Sequence, residues 1–129
     1  MFNIKKAMTT DVIIVQEDTT IYDAMKILRD KDITGMPVIA GDMQVIGIVS
    51  EKDLIRLMYL TGHPNPLVKE VMTKEVVSFD ENDSFIEVAE CLINNNFRRV
   101  PILSKNKLIG IITRNDIIKS FIKYRMPNE

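Results

Sequence analysis

The chain has no tryptophan, one cysteine and one histidine among its 129 residues. Each scarcity removes a class of function. A lone Cys91 cannot form an internal disulfide, so a reducing, cytoplasmic setting is expected. His63, in the Gly/Pro-rich stretch Thr61-Gly62-His63-Pro64-Asn65-Pro66, has no Cys or His near it in sequence. No zinc spacing exists, and neither a Ser–His–Asp nor a Cys–His set can be assembled. There is no P-loop and no G-x-G-x-x-G. Tyr22, Tyr59 and Tyr124 are too scattered for a base-stacking platform. No apolar run approaches the roughly 20 residues of a membrane helix. The opening Met1-Phe2-Asn3-Ile4-Lys5-Lys6 leads into no long apolar stretch, so no secretory signal is expected. Neither an enzyme nor a metal or membrane protein is expected, and no cofactor is required.

What the chain does have is a duplication. Lys5, Met8, Thr9, Val12, Glu17, Leu28 and Pro37 recur as Lys69, Met72, Thr73, Val76, Glu81, Leu92 and Pro101, an offset of 64. Ile46-Gly47-Ile48, Asp53 and Ile55 recur as Ile109-Gly110-Ile111, Asp116 and Ile118, an offset of 63. The repeats are residues 4–60 and 68–124, joined by a linker at 61–67. An internal repeat settles what kind of architecture to expect.

Each copy reads as strand, helix, strand, strand, helix. The β-branched run Val12-Ile13-Ile14-Val15 and its counterpart Val76-Val77-Ser78-Phe79 predict opening strands. Ile21, Ala24, Met25 and Leu28, and likewise Phe85, Val88, Ala89 and Leu92, fall at helical spacing. Thr20 and Ser84 are the N-caps, with Asp23 and Glu87 three residues on, and Ser84 with Glu87 completes a capping box. Hairpins follow around Gly41-Asp42 and Lys105-Asn106, and the residue lost between copies falls in this loop. Pro37 and Pro101 lack an N–H and are expected to start their strands. The final helices run from Glu51 to Leu60 and from Arg114 to Tyr124. The eight methionines fall largely at core spacing. The fold class is α/β of the α+β type: two βαββα repeats, each with an apolar sheet face that packing sheet to sheet, about a pseudo-twofold axis, would bury.

Two motifs carry possible chemistry. Ser50-x-x-Asp53 and Thr113-x-x-Asp116 sit at the same strand-to-helix corner, just after Gly47 and Gly110. Such a pair caps a helix, contributing about 0.5–2 kcal/mol. A helix N-terminus also seats phosphate, and a carboxylate beside it can accept both hydroxyls of a ribose. Arg98-Arg99 and Arg114 supply guanidinium groups in the second copy. The first copy has Thr34-Gly35 in place of the arginine pair and Lys52 as its nearest base. Charge is uneven: residues 65–90 set two lysines against seven carboxylates, and residues 91–125 set eight Lys or Arg against Asp116. The basic block is either a solvated face or a field directed at phosphate.

The paired pattern Met-Thr-x-x-Val, x-Pro-Val/Ile and Gly-Ile-Val/Ile-Ser/Thr-x-x-Asp resembles a tandem of cystathionine-β-synthase (CBS) domains, the CBS pair or Bateman module. The resemblance implies a regulatory, ligand-sensing homodimer that binds adenosine nucleotides (AMP, ADP or ATP) in clefts between the copies. Its output would go to a separate, unidentified protein. On this resemblance Asp53 and Asp116 would hold ribose hydroxyls, and Ser50 and Thr113 would contact ribose or phosphate. Backbone near Ile13 and Val77 would bond the adenine edge, Met36 and Val100 would wall the base, and Arg98, Arg99 and Arg114 would meet phosphates. Thr34 departs from the basic pattern. The alternatives are a dimerisation or docking module without nucleotide, a binder of S-adenosylmethionine, or a nucleic-acid binder. The last is disfavoured by the acidic 65–90 block and the lack of a reading helix.

Overall fold

The computed structural model describes residues 2–60 and 66–124, with backbone alone at 58–60. The linker residues Thr61 to Asn65, with His63, lie outside the described residues. Two three-stranded sheets organise the chain, in the orders β1-β2-β3 and β4-β5-β6. Helix α1 (Ile4–Ala7) precedes β1 (Val15–Gln16), α2 (Ile21–Lys31), β2 (Gly35–Ala40), β3 (Gln44–Ser50) and α3 (Glu51–Leu60). A 3-10 turn at Val68–Glu70 precedes β4 (Phe79–Asp80), α4 (Phe85–Asn94), β5 (Arg99–Ser104), β6 (Lys107–Thr113) and α5 (Arg114–Lys123). No helix among the described residues is long and apolar enough to cross a membrane.

Local signals explain most of these boundaries. Thr20 and Ser84 accept hydrogen bonds from the Asp23 and Glu87 amides, as N-caps do. The hairpin loops differ by one residue: Ala40 pairs with Gln44, but Ser104 pairs with Lys107. Lys105 and Asn106 both have positive φ, as a type I′ two-residue turn requires.

Two expectations need correction. The opening strands begin later than the β-branched runs suggest, at Val15 and Phe79, and each pairs with its neighbour over two residues only. Residues 12–14 and 74–78 have no regular structure. The prolines do not start their strands either. Pro37 is the third residue of β2, opposite Ile48, and Pro101 the third of β5, opposite Ile111. Ile48 spends its N–H and C=O on Thr73, and Ile111 spends its own on Thr9. Each proline therefore occupies a non-hydrogen-bonded ladder position, where no N–H is called for.

The chain forms two compact units that are offset from its repeats. The first unit is Ile13–Val76; the second combines Met1–Val12 with Val77–Glu129. The opening segment of each repeat thus belongs with the body of the other. In the second unit, Ile4 is buried in a core with Phe85, Val88, Leu92, Val100, Ile102 and Ile112. Phe2 stacks on Phe85 at 5.4 Å and lies 5.0 Å from Phe121 and 5.6 Å from Tyr124. Lys5 forms an ion pair with Glu81 at 3.6 Å. In the first unit, Val68 takes the place of Ile4, in a core with Val15, Leu28, Met36, Val38, Val49 and Leu54.

These opening segments lie directly against the two glycines that precede the corners. A Cβ on Gly110 would lie 2.7 Å from Met8 Sδ and 3.0 Å from the Thr9 carbonyl oxygen. On Gly47 it would lie 2.6 Å from Met72 Sδ and 3.0 Å from the Thr73 carbonyl oxygen.

Candidate functional site

The strand-to-helix corner after β6 is built by a reciprocal cap. The Thr113 hydroxyl accepts from the Asp116 amide at 3.2 Å, while Asp116 Oδ2 accepts from the Thr113 amide at 2.9 Å and its hydroxyl at 3.1 Å. After β3 the same geometry recurs. Ser50 Oγ accepts from the Asp53 amide at 3.4 Å, and Asp53 Oδ2 accepts from the Ser50 amide at 3.0 Å and hydroxyl at 3.1 Å. Both carboxylates are buried, at 7% and 8% exposure for Asp116 and Asp53.

A threonine that sequence reasoning did not select completes each corner. Thr9 Oγ1 donates to Asp116 Oδ1 at 3.2 Å, and Thr73 Oγ1 donates to Asp53 Oδ1 at 3.4 Å. The signal was present, because Thr9 and Thr73 are themselves a repeat pair. Their contact with the aspartates is invisible without knowing which segment docks where. Each carboxylate offers about four lone pairs. The three donors at each corner leave room for a further hydrogen bond, and a swing of the threonine would open room for two.

The ladder gathers some predicted residues around these corners and removes others. Arg99 pairs directly with Thr113 across β5 and β6, and Arg98 precedes it, exposed. Thr34 accepts from the Glu51 amide at 3.0 Å through its carbonyl, and Gly35 pairs with Ser50. Arg114 is turned elsewhere: Nε donates to the Leu92 carbonyl and Nη2 to the Asn95 carbonyl, both at 3.1 Å. Met36 and Val100, expected to wall a base, are at 1% and 0% exposure within their own units' cores. Their strands place those side chains inward, on the apolar face that the helices cover. Ile13 and Val77 lie in the irregular stretches that lead into β1 and β4, half-buried and exposed respectively.

Comparison with known proteins bears on this paired architecture. The CBS domain family model matches twice, at residues 4–60 and 68–123. The chain belongs to the CBS domain family. Its CBS pair is 36% identical over 120 residues to the inosine-5'-monophosphate dehydrogenase of Methanocaldococcus jannaschii, covering 90% of this chain and 23% of that enzyme. It spans 41% of an uncharacterized protein from the same organism. Among solved structures, CBSX2 in complex with AMP aligns over 98% of this chain and 100% of that one, with TM-score 0.86 and 26% identity. A CBS-domain containing protein from Agrobacterium tumefaciens aligns over 92% and 98% of the two chains, with TM-score 0.79 and 29% identity.

Proposed function

We propose that this CBS pair is a regulatory, non-enzymatic module that binds an adenosine-containing nucleotide, AMP, ADP or ATP, and signals to a separate partner. The observation that carries the reading is the duplicated corner: a buried carboxylate, oriented by its own cap, beside a helix N-terminus. Asp116 and Asp53 would accept the ribose hydroxyls. Charge-assisted bonds of that kind are worth about 1.5–3 kcal/mol each. Thr113 and Ser50 would sit against ribose or phosphate, and backbone near Ile13 and Val77 would bond the adenine edge. Arg98 and Arg99 would meet phosphate. Thr34 and Gly35 put no cation at the matching place in the first repeat, so the Asp116 corner is the better seat for a phosphorylated ligand. The AMP complex of CBSX2 supports the ligand class.

The exposed helix surface of the second unit supports assembly as a homodimer. Ile86 and Ile93 on α4, with Ile118, Phe121 and Ile122 on α5, are each more than half exposed. Clusters of large apolar side chains on a surface mark an interaction site.

A thermal-melt screen of ligand-free protein against AMP, ADP, ATP, NAD and S-adenosylmethionine tests the reading. A bound nucleotide at one hundred times its dissociation constant stabilises the fold by about 2.7 kcal/mol. No shift with any of the five defeats nucleotide sensing and leaves the dimerisation module. A shift with S-adenosylmethionine alone changes the ligand but keeps the site.

A further inference from the structure

We propose that Arg114 is a positioning residue: it straps the end of α4 to the start of α5 and so holds the turn that presents Arg98 and Arg99. This rests on the nucleotide reading above and gives Arg114 a different part from the phosphate contact its sequence position suggests.

The last carbonyls of a helix lack intrahelical partners and favour a cation. Helix α4 ends on Asn95 in extended conformation, φ −126° and ψ 167°, without the left-handed residue that closes many helices. Asn95 serves the Cys91 carbonyl with its amide at 3.2 Å and its Nδ2 at 2.9 Å, and Arg114 serves the next, with one guanidinium spanning the Leu92 and Asn95 carbonyls at 3.1 Å each. It is the first residue of α5, next to Thr113 in the chain. Three residues separate Asn95 from Arg99, and Arg99 pairs with Thr113. The strap at one end and the strand pairing at the other therefore tie a short arginine-bearing turn to the corner that holds Asp116.

The first repeat solves the same corner without a strap. Its helix α2 closes itself through Asp32, at φ 52°, whose amide donates to the Arg29 and Leu28 carbonyls. Position 114 is matched there by Glu51, an acid that cannot serve carbonyl groups. Beside Asp32 and Glu51 a cavity of about 390 Å³ opens, lined also by Leu28, Ile33, Thr34 and Leu54 among others. The repeat with the arginine pair has the strap; the repeat without the pair has neither. A phosphate contact by Arg114 would require these two carbonyl bonds to break or be shared.

The test uses the full chain as Arg114→Lys, Arg114→Gln, Arg98→Gln/Arg99→Gln, and the last two combined. Amide hydrogen exchange at residues 96–99 is followed without ligand, and adenosine, AMP, ADP and ATP affinities are measured by calorimetry. Lysine keeps the charge but puts all its donors on one nitrogen, without the planar fork whose Nε and Nη2 reach the two carbonyls separately. Expected are exchange about ten-fold faster in both Arg114 variants and AMP binding about ten-fold weaker in both. Adenosine binding should change by less than about two-fold, and Arg114→Gln should cost AMP nothing more once Arg98 and Arg99 are gone. Retained AMP affinity in Arg114→Lys, an additive loss on the Arg98/Arg99 background, or unchanged exchange would each overturn the proposal. Wild-type protein that binds none of adenosine, AMP, ADP and ATP overturns the nucleotide reading, and the positioning role with it, even if exchange rises. Binding of adenosine and AMP with unchanged exchange overturns the strap alone.

Discussion

Gly110→Ala should destabilise this protein, although an unstrained Gly→Ala replacement ordinarily stabilises by about 0.4–1 kcal/mol. The new Cβ would sit 2.7 Å from Met8 Sδ and 3.0 Å from the Thr9 carbonyl oxygen. Ordinary contacts lie near 3.5–4.0 Å. Met8 can swing about its rotatable bonds. The Thr9 carbonyl cannot yield as cheaply. It accepts from the Ile111 amide at 2.9 Å, while the Thr9 amide donates to the Ile111 carbonyl at 2.8 Å. Overpacking of this kind costs about 1–3 kcal/mol. Loosening both backbone bonds adds about 1 kcal/mol each, so the ceiling is about 5 kcal/mol. Urea unfolding reads the effect as a lower midpoint at unchanged slope. Met8→Ala in the Gly110→Ala background should recover part of the loss, giving a coupling of about 1 kcal/mol in the cycle. Gly110→Ala as stable as wild type would refute the argument that the opening segment of one repeat is seated on the glycine of the other.

The remaining expectations concern the same seams. Ile4→Ala should cost about 2–5 kcal/mol, because Ile4 is 1% exposed in the second unit's core; a thermal melt with no loss would mean the segment merely rests there. Thr113→Val removes the cap of α5 and one donor to Asp116, and should cost about 1–3 kcal/mol, read by urea unfolding. Asp116→Asn should abolish the melting shift given by AMP while changing the unliganded melt much less; an undiminished shift would leave Asp116 as a cap only. Phe121→Glu with Ile122→Lys should convert the proposed dimer to monomer in light scattering after size exclusion, and an unchanged mass would exclude this helix face as the interface.

How much of the site was legible depends on how far apart its parts lie in the chain. Ser50 with Asp53 and Thr113 with Asp116 interact across three positions, so a capping pattern was enough to find them. The hairpin loops were equally plain, because the one-residue change in repeat offset falls between paired strands. The resemblance assigns Arg114 to phosphate, and no local pattern reveals its carbonyl partners, Leu92 and Asn95, which lie 22 and 19 positions back. The resemblance alone places Met36 and Val100 beside a base, and in the structure they are at 1% and 0% exposure in their units' cores. Their burial came from the helix packed over the strand, not from the strand pattern. Pro37 and Pro101 looked like strand starters until Thr73 and Thr9 claimed the backbone of their cross-strand partners.

Patterns within a few residues are enough to fix the duplication, helices α2 to α5 and the acid at each corner, but not the short α1 or where the opening strands begin. The tertiary structure decided which opening segment completes which unit. Thr9 reaches Asp116 across 107 positions. Identical repeats carry the same local preferences, so a periodic pattern is blind to whether a segment folds back on its own copy or docks on the other. Only the burial of Ile4 and Val68, and the two bare glycine backbones that receive Met8 and Met72, make that choice.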